Sequence, residues 1–162
     1  MTPTELLALL QDCYAARLRL MLRHQAVARH VGQFDFNNTY QYVIAREDVH
    51  LSWLDAAIRE LGGTPGEADE PRLPSPGRKP DSFLPFVQED AREAEAFVAR
   101  WRPRVGEITH ARHRSMLRVI LGEVLEHKRF FDQVLSGRDD LLGRRMDGAG
   151  TGDGVLGVRW LE

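Results

Sequence analysis

Cysteine is nearly absent from this chain: Cys13 is the only one among 162 residues. A single thiol excludes an internal disulfide, so the cysteine usage fits a reducing compartment. Net charge is lacking too. The formal value of −2 gives no electrostatic reason to expect nucleic acid, and the arginine clusters at 100–104 and 112–118 read as solvated helix faces. No apolar run approaches the roughly 18 residues that a membrane helix needs. The first apolar run, 6–10, follows Glu5 with no basic segment ahead of it, unlike a secretory leader. These absences lead us to expect a cytoplasmic protein with neither a nucleic-acid nor a membrane partner.

What the chain does have is helical periodicity. In residues 40–61, positions 40, 43, 47, 50, 54, 57 and 61 alternate steps of three and four. That spacing lays Tyr40, Val43, Glu47, His50, Leu54, Ala57 and Leu61 along one face of a helix. Three more stripes follow the same rule: Leu6, Leu10, Cys13, Arg17, Leu20, His24, Val27, Val31; then Phe83, Val87, Asp90, Ala94, Phe97, Trp101; then Leu117, Ile120, Val124, His127, Phe131, Val134. Thr2-Pro3-Thr4-Glu5 supplies a capping box for the first helix, which is expected to run to about Val31. A polar loop over 33–38 leads to the second helix, which stops at Gly62-Gly63. The third is expected to start near Asp81, with Pro103 kinking it, and the fourth to end at Gly137.

Between the second and third helices, residues 64–80 hold five prolines and two glycines and cannot be helical. In extended form such a segment spans the length of a bundle. The expected fold is therefore all-α, an antiparallel four-helix bundle with a long crossover between helices 2 and 3. We assign the bundle to 1–137, a glycine-rich linker to 138–154 and a short apolar tag to 155–162.

Polar residues on the apolar stripes carry the candidate chemistry. Glu47-x-x-His50 facing inward is the half-site used by carboxylate-bridged di-metal bundles. His127 on the fourth helix is a second nitrogen donor, and the segment 50–55 aligns with 127–132, placing Val124 where Glu47 stands. The third helix puts Ala94 at the central level and the first puts Arg17 opposite His50. Glu95 and Glu123 are the nearest substitute carboxylates, each rotated about 100° from the stripe. Two arrangements stay open. In one, Glu47, His50 and His127 hold one or two metal ions with help from Glu95 or Glu123. In the other, a buried Arg17 pairs with Glu47 and no metal is held. A third option is a homo-oligomer with metal bound between chains through outward Glu93, Glu123 or Glu126.

With these residues in view, positions 3–136 resemble the ferritin-like superfamily, most closely bacterioferritin- and rubrerythrin-like bundles. The resemblance implies iron as cofactor and ferroxidase- or peroxidase-like chemistry if metal is bound. The alternative it leaves is a non-catalytic binding or adaptor bundle without cofactor, in which the Arg17–Glu47 ion pair replaces the metal. A separate resemblance lies in the tail. Asp153-Gly154-Val155-Leu156-Gly157-Val158-Arg159-Trp160-Leu161 is similar to the C-terminal targeting peptides of encapsulin cargo proteins. It implies an encapsulin shell protein as partner, bound through Leu156, Gly157, Val158, Trp160 and Leu161, and a location inside that nanocompartment. An extended peptide with Leu156, Val158 and Trp160 on one side suits docking into wall pockets.

Overall fold

The computed structural model describes residues 1–77, 79–138 and 141–142. It contains four helices: α1 (Pro3–Ala28), α2 (Phe34–Glu60), α3 (Leu84–Gly106) and α4 (Ala111–Leu135). Their ends follow local chemistry. At Thr2 the side-chain oxygen accepts from the Glu5 amide while the Glu5 carboxylate takes the Thr2 amide, closing the capping box. At the far ends of α2 and α4 a glycine sits in the left-handed region, Gly62 at φ 79° and Gly137 at φ 85°. The Gly63 amide then donates to the Ile58 carbonyl, and the Arg138 amide to that of Gln133. Both are Schellman closures, which only glycine enters without steric cost.

Three boundaries differ from the sequence expectation. Helix α1 ends at Ala28, before Val31, although Val31 stays buried. Helix α2 begins at Phe34, so most of the expected loop is its first turn. Asn37 explains both shifts, because its amide donates to the carbonyls of Ala28 and Val31 and satisfies the end of α1 from within α2. Helix α3 begins at Leu84, not near Asp81, with Pro85 in its first turn, where a missing amide costs nothing. It passes through Pro103 to Gly106, with Val105 and Ile108 both buried beyond the proline.

Packing is by hairpins. Helix α1 lies against α2 and α3 against α4, and the two hairpins meet through α2–α4 and α1–α3. Pairs such as Glu60 with Arg112, Arg46 with Glu123 and Tyr40 with Phe131 show that α2 and α4 run antiparallel. Helices α2 and α3 are consequently parallel, which requires the crossover to return along the bundle. It does so over α1. Gln11 donates to the Thr64 carbonyl, Gly66 passes Ala15, residues 67–71 line a cavity with Arg19, and Leu73 packs on the opposite end of the core.

Every residue of the four stripes is buried except Leu61, which is partly so. The apolar ones form two clusters. One fills the end holding the α1 N-terminus, with Leu10, Leu54, Trp101 and Ile120; the other holds Val27, Phe36, Tyr40, Val87 and Phe131. Between these clusters runs a polar layer.

Candidate functional site: a buried ionic belt

The polar layer gathers side chains from all four helices. Arg17 from α1 is 1% exposed, and Glu47 and His50 from α2 are fully buried. The Arg17 guanidinium lies 3.2 Å from Glu47 Oε1, 3.4 Å from His50 Nδ1 and 3.4 Å from His127 Nδ1, using a different nitrogen for each. Its carbon also sits 5.6 Å from the centre of the Phe97 ring, a cation–π contact with α3. A guanidinium only donates, so both imidazoles accept through Nδ1 and carry their proton on Nε2.

Those tautomers set the flanks. His50 Nε2 donates to Glu123 Oε2 at 2.7 Å, and Arg46 grips the same carboxylate with two nitrogens at 2.8 and 2.7 Å. On the other side His24 Nδ1 donates to Glu47 Oε1 at 2.8 Å, while His24 Nε2 lies 3.9 Å from Asp90. Asp90 takes Arg23 Nε at 2.6 Å and, through its second oxygen, a short hydrogen bond from the Tyr40 hydroxyl. Each carboxylate of the belt thus has its own arginine: Glu47 with Arg17, Asp90 with Arg23, Glu123 with Arg46. Contacts to Arg17 are the longest of the set, so its centrality is one of position rather than bond strength.

Burial and charge pull the titrating groups in opposite directions. Burial pushes the Glu123 carboxyl up, but the hydrogen bonds from His50 and Arg46 overcome it and hold it at about 2. Burial likewise raises Glu47, and the charges of His24 and Arg17 more than offset it, leaving it below the usual carboxylate range. Burial lowers His24, yet Glu47 and Asp90 together raise it above its ordinary value. His50 and His127 go the other way. Burial lowers His50 despite Glu123, and burial with the Arg17 charge drives His127 far below the usual imidazole range. The surroundings thus favour the charged form of His24, between two carboxylates, and the neutral forms of His50 and His127, around a guanidinium.

Of the sequence candidates, the structure brings Arg17, Glu47, His50, His127 and Glu123 together. Glu95 is exposed on the outer face of α3, because one residue from the stripe is a rotation of about 100°. Glu123, expected to face outward, is 3% exposed, and Glu126 is also buried. The reason is that α4 enters the α2–α4 seam at this level, where both flanks of its stripe are covered. Ala94 and Val124 occupy core positions facing the belt's neighbours, and neither can ligate. Among the described residues, no three His, Cys, Asp or Glu side chains are grouped to hold a metal ion. The donors that would do so are spread around the guanidinium, so the set does not fit an iron pair. Sequence reasoning missed Arg23 and Arg46. Each directly precedes a charged stripe residue, His24 and Glu47, an offset that points a long side chain into the neighbouring seam.

The fold and site define a class: an all-α four-helix bundle with an ionic layer across its core. No protein-family model, curated protein or solved structure matches the chain.

Arg17→Met leaves Glu47 charged and buried with His24 as its remaining partner, and is expected to cost about 3–5 kcal/mol. Adding Glu47→Leu should recover most of that loss, read as urea midpoints at constant slope. The histidines make stability depend on pH in opposite senses. His50 and His127, lowered in the fold, contribute stability above their unfolded value of 6.5 that is lost as pH falls below it. His24, raised in the fold, contributes stability present below 6.5 and lost as pH rises through its folded value. Urea unfolding of His127→Gln should show a smaller loss from pH 7 to 5, and that of His24→Gln a smaller loss from pH 6 to 8.

Proposed function

We propose that this chain is a ferritin-like bundle serving as a non-catalytic binding or adaptor module, with the Arg17–Glu47 ion pair standing where that family holds metal. The observation that carries this reading is the Arg17 guanidinium among Glu47, His50 and His127. A cation built into the chain neutralises Glu47 and repels a second cation from the same space. The order of the helices and the crossover support the ferritin-like reading, as does Glu47-x-x-His50 facing inward. The C-terminal tail lies outside the described residues. Its sequence supports the further proposal that the module is a cargo of an encapsulin shell, with Leu156, Gly157, Val158, Trp160 and Leu161 making the contact.

Two measurements test these readings separately. After anaerobic reconstitution with iron(II) and desalting, the protein should retain less than about a tenth of an equivalent of iron. Arg17→Glu should be destabilised and regain stability when iron(II) is added. A full equivalent on the unaltered chain, lost in His127→Gln, would overturn the metal-free reading. For the tail, residues 138–162 fused to a fluorescent protein should co-sediment with a co-expressed encapsulin shell, and removing 155–162 should abolish this. Equal co-sedimentation of both fusions counts against the cargo reading and leaves the belt untouched.

A further inference from the structure

Among the described residues outside the belt, His113 is the buried side chain that leaves two polar atoms, both ring nitrogens, without a hydrogen-bond partner. It stands at the third position of α4 and is 3% exposed. A neutral imidazole carries one donor and one acceptor, and leaving both unmade in the interior is destabilising. Buried polar groups in native proteins are nearly always satisfied, and water or a bound ion is among the ways an exception is met. The neighbour of His113 supplies the second half of one. His110, the N-cap residue, makes no side-chain cap bond, is exposed, and its ring centre lies 4.2 Å from that of His113 with the planes tilted by 35°.

That separation is informative. With a metal–nitrogen distance near 2.0 Å, two imidazoles at right angles on one ion have ring centres about 4.5 Å apart, and at a tetrahedral angle about 5 Å. The observed 4.2 Å matches the right-angle case within a few tenths of an ångström. It is nearly an ångström short of the tetrahedral one. Turning the His113 ring to aim a nitrogen at the shared point breaks no protein hydrogen bond, because it makes none.

We propose that His110 and His113 form a two-imidazole site for a square-planar or octahedral transition ion, copper(II) or nickel(II), with water in the remaining positions. The preference for these ions rests on the short ring separation together with the ordering of divalent affinities. The site is distinct from the three-donor groups absent among the described residues, since it asks only two side chains of the protein. The positive end of α4 and Arg112 oppose a cation here, and the two imidazoles must outweigh them. Glu60 is the nearby carboxylate and stays engaged by Arg112, with both oxygens taken at 3.1 and 3.0 Å.

The test uses the full chain, stripped with chelator and titrated with nickel(II) and copper(II) by calorimetry. One equivalent should bind, and copper(II) should give an electron paramagnetic resonance spectrum with two equatorial nitrogens. His113→Gln should weaken binding about tenfold or more, the loss expected for one imidazole of two. His110→Gln, at an exposed position that the fold does not need, should do the same while unfolding as the parent does. His30→Gln, a surface imidazole elsewhere, should leave binding unchanged. Binding that survives His110→Gln at full strength, a one-nitrogen spectrum, or equal loss in His30→Gln would each overturn the site and leave an adventitious ion only.

Discussion

Three carboxylates with almost no access to water, Glu47, Asp90 and Glu123, must each meet a cation, and the packing of the four helices is arranged around that requirement. A buried charge without a partner costs several kcal/mol, more than the sliding of one apolar ridge past another. Glu47 ties α2 to α1 through Arg17 and His24, Asp90 ties α3 to α1 through Arg23, and Glu123 ties α4 to α2 through Arg46 and His50. A one-turn slip of any helix, about 5.4 Å along its axis, would strand at least one of these charges. The belt thus sets the register that leucine and valine leave loose.

Register and stability come from different parts of the molecule. The two apolar clusters on either side of the belt supply the burial that holds the helices together. Buried ion pairs replaced whole by apolar residues of similar volume often leave a protein equally or more stable. The belt is therefore not the cheapest way to fill the middle of this bundle. Its contribution is geometric: the charged pairs join α1 to α2, α1 to α3 and α2 to α4 at one level of the bundle.

Carboxylates and imidazoles facing a common interior space need a positive charge there, and the charge comes from the chain or from solution. Here a guanidinium contacts one carboxylate and two imidazoles through three different nitrogens, which also fixes both histidine tautomers. His110 and His113 at the far end of α4 present the contrasting case. Neither ring nitrogen of the inner imidazole, His113, has a hydrogen-bond partner.

Much of this was readable before any fold was known, and for a simple reason. A period of 3.6 residues translates directly into a face, so the stripes from Leu6 to Val31 and from Leu117 to Val134 named the core, and the proline-rich stretch 64–80 named the crossover. Arg17, Glu47, His50 and His127 were legible as interior for the same reason, polar residues on apolar stripes. Partnership was not. That Glu123 turns inward to His50, that Arg23 and Arg46 reach across seams, and that His24 rather than His50 is the imidazole on Glu47 depend on which helices are neighbours and at what height. Periodicity along one helix carries no information about its distance from another, and long side chains one step off a stripe end wherever the facing helix has a charge to offer. Local sequence determined which faces are buried; only tertiary packing decided which charges meet.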